Sequence, residues 1–271
     1  MATFNQHDNY LDRLADEHQD RIAAALERLE ERIASVMDGA PLSDGQLFDL
    51  EWAIQARTQI RSIMDDEFLT EVQSILEQYP EVGLSALEML NNYGNFTYVS
   101  QNVVSGLQRL SFQGFEAMAN EYLDVLATGI YQNTLTGQTA ASTVKVLRQT
   151  INGVYQQSDK DEIQRLVQIA KNATGQRQQD AIDKLHAVYA ADRVGNNMRK
   201  YARQMVQDSL MQFDASVNVA IGKEAGVDKW KYYGDVIKDS RPFCREHAGK
   251  VYSEDEINEI WSGEWAGKAP G

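Results

Sequence analysis

Cys244 and His247 are the two residues whose types and spacing come closest to a chemical site. A Cys-x-x-His spacing occurs in zinc sites, where a thiolate and an imidazole supply two of four ligands. Asp239 or Glu246 could complete the set, but the sequence gives no positive reason to choose either. The structural alternative is a buried thiol and a hydrogen-bonded imidazole that hold a hairpin to a turn. We favour that alternative and predict neither a metal nor a cofactor.

The same pair is a poor candidate for nucleophilic catalysis. A Cys–His dyad needs a base that reaches the thiol and a third group that orients the base, and no oxyanion-hole signal lies nearby. His7, His18 and His186 are scattered, and we interpret each as a surface or helix-face residue. The sequence contains no phosphate-binding loop, no H-E-x-x-H and no G-x-S-x-G pattern. These observations predict a protein that is not an enzyme.

Basic residues interleaved with aromatic residues suggest a second kind of site, for nucleic acid. Such residues can hold a phosphate backbone and stack bases. The candidates for contact with double-stranded DNA are Arg193, Arg199, Lys200, Arg203, Lys229 and Lys231. Any such binding is predicted to be non-specific, steeply dependent on salt and localised to residues 190–250. The alternative, an ordinary mixed surface, is the one we favour.

Composition favours a helical globular protein without a membrane span. The 271 residues are 43% hydrophobic and 24% charged, and only four are proline. No run of 18 apolar residues occurs, and the first twenty residues lack the basic and apolar regions of a secretory signal. The single cysteine, Cys244, rules out an internal disulfide and fits synthesis in a reducing cytoplasm.

The negative charge is concentrated in the first third of the chain. Residues 1–91 hold 19 acidic and 6 basic residues, which gives −13 of the total net charge of −14. An acidic segment argues against sequence-specific DNA binding, which requires a basic face. We interpret the acidity as a solvated helical face. A surface that repels DNA or docks on a basic partner is the alternative.

The N-terminal segment 1–80 is predicted to be a long helical hairpin. Apolar residues recur at helical spacing over 8–38, and Gly39 and Pro41 follow. Ser43 and Gln46 have the spacing of a capping box, which would start a second helix that runs to Pro80. The apolar stripe of that second helix is Leu47, Leu50, Ile54, Ile60, Met64, Phe68, Val72 and Ile75.

Residues 81–226 are predicted to form a helical bundle body. Over 84–190 we expect shorter helices punctuated by glycine, at Gly94, Gly106, Gly114, Gly129 and Gly137. Helices are expected to begin near Thr139 and after Asp159, and another after Gly175. A long helix, or two, is expected over 178–224, with Gly226 as its terminating residue.

The last segment, 227–271, is predicted to be a small α+β module. Residues 230–240 are aromatic and β-branched, with a turn at Gly234 and Asp235, so we expect a short hairpin. Val251 and Tyr252 could add a strand, and Ser253 with Glu256 form a second capping box. The predicted fold class is therefore mainly α, with a helical hairpin, a helical body and this module.

The C-terminal module carries a recognisable order of residues. Residues 230–271 resemble the C-terminal module of the Mu F-like phage head morphogenesis family, and the helix over 203–226 is similar to that family's long helix. The matching residues that we single out are Trp230, Tyr233, Gly234, Asp239, Arg241, Cys244, His247, Gly249, Lys250 and Trp261. Asp239 and Arg241 flank a turn, and we interpret their role as structural.

The resemblance implies a minor head protein, or minor capsid protein, of a tailed bacteriophage. It implies a place in the virion head near the portal vertex, with copies arranged around the portal protein and beside capsid or scaffold proteins. The function implied is head assembly and DNA packaging or ejection. Family members commonly continue into a Gly-rich segment with an Asn-Cys-Arg-His-like element, which the 271 residues do not include. An internal protein ejected with the DNA and a head–tail connector subunit remain alternatives.

Overall fold

The chain is mainly α-helical, as predicted, with short antiparallel strand pairs. A computed structural model describes residues 3–92, 94, 96, 99–155, 160–181, 184, 193–194, 197–232, 242–253, 255–257 and 259. The helices are α1 (Phe4–Asp38), α2 (Leu50–Met64), a π-helical turn (Asp65–Leu69), α3 (Thr70–Leu76), α4 (Tyr79–Leu90), α5 (Gln101–Leu135), α6 (Ala140–Asn152), α7 (Lys160–Asn172), α8 (Met198–Glu224) and α9 (Pro242–His247). The strands are β1 (Leu42–Ser43), β2 (Leu47–Phe48), β3 (Val154–Tyr155), β4 (Arg193–Val194), β5 (Lys229–Lys231) and β6 (Val251–Ser253), paired β1–β2, β3–β4 and β5–β6.

The chain divides into two compact units, each assembled from separate stretches. Unit 1 comprises Met1–Tyr10, Tyr79–Leu107 and Met211–Gly271. Unit 2 comprises Leu11–Gln78 and Gln108–Leu210. Each unit combines stretches that are far apart in the sequence, whereas the sequence predicts three consecutive domains, 1–80, 81–226 and 227–271. That three-domain division remains a prediction.

The predicted helical hairpin is confirmed within unit 2. Arg21, Arg28 and Arg32 of α1 pair with acidic residues of the segment from the π-helical turn to α3. The ion pairs are Arg21–Glu71 at 2.7 Å, Arg28–Glu67 at 3.0 Å and Arg32–Glu67 at 2.8 Å. As residue numbers rise on α1 they fall on its partner, so the two segments are antiparallel. Hydrogen bonds from Arg32 and Arg28 lower the pKa of Glu67.

Helix α2 begins at a different residue and with a different phase from those predicted. Ser43 does not cap it, because Asp44 and Gly45 take positive φ values of 53° and 72° and turn the chain between β1 and β2. The cap is Asp49, whose carboxylate accepts a hydrogen bond from the Trp52 N–H at 3.0 Å.

Because α2 begins at this cap, its small residues Ala53 and Ala56 lie on the buried face of the helix. Ala53, Ala56, Ile60 and Ile63 form the buried face, with spacings of three and four. Leu50 and Ile54 were predicted to be buried, and that prediction is wrong. They are 43% and 62% exposed.

A π-helical turn separates α2 from α3, and no pattern of residues predicted it. The Thr70 hydroxyl donates to the Asp65 carbonyl at 3.1 Å, and the Thr70 N–H bonds the same carbonyl, five residues back. Phe68 lies within this turn and is fully buried, with its ring centroid 6.3 Å from that of Phe115 on α5.

Glycines divide the middle of the chain only in part as predicted. Gly94 and Gly137 lie between helices, as expected, but the other three do not. Helix α5 runs unbroken for 35 residues through Gly106, Gly114 and Gly129. Each glycine costs about 1 kcal/mol relative to alanine, but the buried side of α5 outweighs this cost. At Gly114 the absent side chain also allows close packing, since a Cβ there would lie 3.3 Å from Met205 Cε. The expected start of α6 is confirmed, because Thr139 accepts a hydrogen bond from the Ser142 N–H at 3.3 Å.

The core of unit 1 joins α4 to the second half of α8. The rings of Tyr79 and Phe213 lie 4.7 Å apart and are both buried. Gly83 faces Val217 and Val99, which lie 3.7 and 3.5 Å from where its Cβ would be. An alanine Cβ at Gly83 would therefore make ordinary van der Waals contact with these two valines.

The predicted end of α8 at Gly226 is confirmed in detail. Gly226 has a φ of 78°, a conformation that glycine adopts without strain. The Val227 N–H bonds the Gly222 carbonyl at 2.9 Å and the Gly226 N–H bonds the Lys223 carbonyl at 3.0 Å. These two bonds form a Schellman motif. In the part of the chain that the structure describes, no helix is long and apolar enough to cross a bilayer.

Candidate functional site

The C-terminal module is built on the antiparallel pair β5–β6. Trp230 lies opposite Tyr252, and Lys231 lies opposite Val251. The expected strand at Val251 and Tyr252 is thus confirmed, with Trp230 on its partner strand. Alternation places Trp230 on the inner face, while Lys229 and Lys231 project to solvent.

Three of the singled-out motif residues meet around this ribbon. Beyond β5, the Tyr232 N–H donates to the Lys250 carbonyl, and the Gly249 N–H donates to the Tyr232 carbonyl, both at 2.9 Å. Gly249 has a φ of 78°, so the turn favours glycine. His247, at the end of α9, places Nδ1 2.6 Å from the Tyr252 hydroxyl. The motif therefore supplies backbone pairing and one imidazole–phenol contact, which is structural chemistry.

Gly222 supports this ribbon, and the sequence reasoning overlooked it. A Cβ on Gly222 would lie 3.2 Å from Trp230 Nε1, so the indole rests against this point of α8. The signal available in the sequence was a glycine two residues before the end of a long helix, close to an aromatic strand.

The second capping box is confirmed after β6. The Ser253 N–H donates to Glu256 at 2.7 Å, and the Glu256 N–H donates to the Ser253 hydroxyl at 3.4 Å. The hydrogen bond from the Ser253 backbone lowers the pKa of Glu256. Residues 255–257 are helical, as this box predicts.

Several motif residues lie outside the described residues. These are Tyr233, Gly234, Asp239, Arg241 and Trp261, and the predicted turn at Gly234 and Asp235 lies there too. The backbone of Cys244 lies in α9, but its side chain is also outside the described part. Among the described residues, no group of three or more His, Cys, Asp and Glu side chains is arranged to hold a metal ion.

The predicted DNA-contact residues are not equivalent. Arg199 is engaged within unit 2, where Nη1 lies 2.7 Å from Glu27 Oε1 and its side chain is only 16% exposed. Arg203 is partly buried, and its Nε atom has no hydrogen-bond partner among the described residues. Lys200, Lys229 and Lys231 are exposed. For Arg193 the structure describes only the backbone, which pairs with Tyr155. DNA binding remains a prediction, and the exposed lysines are its best candidates.

A buried polar network in unit 1 joins three separate segments. His7 of α1 is 2% exposed, so of the two interpretations given for it, surface or helix-face residue, only the second holds. His7 Nε2 lies 2.9 Å from Asp214 Oδ1, and Nδ1 lies 2.9 Å from Ser85 Oγ. Because a carboxylate only accepts hydrogen bonds, Nε2 carries a proton and donates it toward Asp214, while Nδ1 and the Ser85 hydroxyl form the second hydrogen bond. Asn218 Nδ2 donates to the second carboxylate oxygen at 2.9 Å.

The order Ser85–His7–Asp214 is that of a hydrolytic triad, but its surroundings favour a structural role. Nucleophilic catalysis requires free N–H donors beside the serine to stabilise an oxyanion. Ser85 lies in the interior of α4, where the backbone N–H groups are bonded within the helix. The network is therefore best described as a polar cross-link between α1, α4 and α8.

His18 is also a buried helix-face residue and not a surface residue, and its pKa yields a testable prediction. It is fully buried on α1, with Nε2 3.0 Å from Gln78 Oε1. Burial lowers the pKa of His18 below the usual 6.5. On acidification the unfolded chain therefore binds this proton before the folded chain does.

We expect the free energy of unfolding to fall below pH 6.5, the reference pKa of His18, with a His18 contribution of up to about 1.4 kcal/mol per pH unit. The loss continues until the pH reaches the pKa of His18 in the folded chain. Urea unfolding between pH 8 and 5 measures the slope. For the His18→Gln variant, the slope should lack the His18 contribution. Equal slopes in the two proteins would show that His18 does not titrate in this way.

Between α5 and α6 lies an open groove of about 410 Å³. It is lined by Glu121, Tyr122, Val125, Val146, Gln149 and Thr150. Burial raises the pKa of Tyr122, so its phenol stays protonated and available as a hydrogen-bond donor at neutral pH. The groove is shallow and open, and it does not bring together a catalytic set.

No protein-family model, no curated protein and no solved structure matches the chain.

Proposed function

We propose that this chain is a structural minor head protein of a tailed bacteriophage, related to the Mu F-like family. The observation that carries the proposal is the ordered motif of residues 230–271. Its described members Trp230, His247, Gly249 and Lys250 belong to one ribbon and its turn, which supports a structural role for the motif. The proposed place is the virion head near the portal vertex.

The proposed role is to make protein contacts in head assembly, and in DNA packaging or ejection. Two features support it. The hairpin of α1 with α2 and α3 is long, and most of the chain's net negative charge lies in residues 1–91, so this surface is unsuited to wrapping DNA. Portal protein and capsid or scaffold proteins are the proposed partners.

Mass spectrometry of purified particles tests this proposal. If the gene is expressed during infection by its phage, the protein should be found in both procapsids and mature virions. The copy number should be small compared with that of the major capsid protein. Absence of the protein from both kinds of particle would contradict the proposal.

The location of the protein in emptied particles separates the proposal from the ejection alternative. A portal-proximal protein stays after the DNA has left, whereas an ejected protein disappears. A connector subunit would instead form a ring below the portal, visible by electron microscopy.

A pair of variants tests whether the C-terminal module directs incorporation. Trp230→Ala removes the side chain that packs against Gly222, and Val251→Ala changes an exposed residue of the neighbouring strand. In phage lacking the wild-type gene, we expect Trp230→Ala to be lost from particles and Val251→Ala to be retained. Equal incorporation of the two variants would show that the C-terminal module does not direct incorporation into particles.

A further inference from the structure

An exposed apolar patch lies along the seam between α2 and α5 in unit 2. Its members are Leu50, Ile54, Tyr131 and Leu135, which are 43%, 62%, 39% and 55% exposed. Arg57 pairs with Asp124 and Arg61 with Asn120, so α2 and α5 run antiparallel along the seam. Two helical turns beyond the Arg57 pair, Leu50 on α2 therefore lies level with Tyr131 on α5.

Along the chain, the α2 side of this patch is flanked by acidic residues, which we call its rim. Asp38, Asp44, Asp49 and Glu51 lie in the adjoining stretch, and no lysine or arginine occurs between Arg32 and Arg57. Along α5 and into α6, residues 125–144 contain no charged residue. The partner best suited to this surface therefore presents cations around an apolar contact.

A second copy meeting the same patch does not satisfy this condition. In such a two-fold symmetric contact the acidic rims of both copies would face each other, and like charges so placed repel. A contact between two different surfaces of the chain avoids that repulsion.

The chain carries a suitable surface of its own in unit 2. The stretch 165–184 holds four basic and two acidic residues. Lys171, Arg177 and Lys184 are exposed, and we call them the cationic corner. Gln178 Nε2 donates to the Ala170 carbonyl at 2.9 Å, which holds Lys171 and Arg177 close together across the end of α7.

We propose that a second copy of this chain covers the apolar patch, through a contact in which the patch of one copy meets the cationic corner of the next. Such a head-to-tail contact leaves one surface of each kind unused in a pair, so it extends to rings or longer assemblies. The proposal does not depend on the phage assignment, because it is tested on the purified chain.

Sedimentation velocity of the purified full chain is the first experiment. We expect concentration-dependent association up to about 100 µM, because a patch of four side chains gives a weak contact. Association should be weaker at about 500 mM salt than at about 50 mM, where charges are less screened. Both Ile54→Asp and the double variant Lys171→Glu/Arg177→Glu should weaken it by about tenfold or more.

Mixing the two variants distinguishes head-to-tail from symmetric contact. Ile54→Asp keeps an intact cationic corner, and Lys171→Glu/Arg177→Glu keeps an intact patch. In the mixture, the intact patch of one variant can therefore bind the intact cationic corner of the other. The two variants should form dimers that do not associate further. A symmetric contact through the patch would not be restored by mixing.

Leu110→Asp is the matched control, since Leu110 is 65% exposed on α5 but lies outside the patch. It should associate as the wild type does, and circular dichroism checks that all variants fold. A wild-type chain that stays monomeric would overturn the proposal. So would association unaffected by either patch or corner variant, or variants that each block association but give no pairs on mixing.

Discussion

Phe68→Ala is expected to lower the free energy of unfolding by about 3–5 kcal/mol. The side chain is fully buried at the π-helical turn, and its edge contact with Phe115 links the hairpin to α5. The turn fixes the backbone around it, so neighbouring groups cannot easily fill the cavity left by alanine. Urea unfolding followed by circular dichroism measures the loss.

The control for this prediction is Leu110→Ala, which truncates an exposed residue of the same helix α5 and should change stability by less than about 0.5 kcal/mol. Phe68→Leu retains most of the buried volume, so its loss in the free energy of unfolding should lie between those of Phe68→Ala and Leu110→Ala. A loss below about 1 kcal/mol for Phe68→Ala would show that the side chain is not packed as described.

His7→Ala is expected to lower the free energy of unfolding by about 2–4 kcal/mol, because it removes the imidazole hydrogen bond to the Asp214 carboxylate, whose side chain is only 14% exposed. It also leaves the Ser85 hydroxyl without its imidazole partner. The measurement is unfolding of the full chain, with hydrogen exchange to locate the loss in unit 1.

A double-mutant cycle with Asp214→Ala isolates the contact itself. A coupling of about 1–3 kcal/mol is expected if the two side chains interact as described. Asn5→Ala, an exposed change in the same turn of α1, serves as the matched control and should be neutral. Additive effects of His7→Ala and Asp214→Ala would contradict the network.

Features encoded within a few residues could be predicted from the sequence. The end of α8 at Gly226, the start of α6 at Thr139 and the box formed by Ser253 and Glu256 all depend on near neighbours. The antiparallel hairpin also followed from apolar spacing and a short connection. In each case local geometry selects the residue type directly.

Two kinds of feature could not be predicted: which face of a helix is buried, and which contacts join residues that are far apart in the sequence. Ile54 was expected inside because it is large and apolar, but Ala53 and Ala56 face the core once Asp49 sets the start of α2. The glycines of α5 were interpreted as breaks, since their cost is local and the burial that outweighs it is tertiary. His7 gave no signal, because its partner Asp214 is 207 residues away.

The separation of His7 and Asp214 along the chain also determines the order in which the two units can fold during synthesis. The hairpin of unit 2 lies within residues 11–78 and can form early in synthesis. His7 has no carboxylate to pair with until Asp214 has been added, 207 residues later, and at about 5–20 residues per second this takes about 10–40 s. During that interval the first turns of α1 lack their native partner. Unit 1 therefore closes last, and a nascent chain arrested before Asp214 should expose its first ten residues to protease.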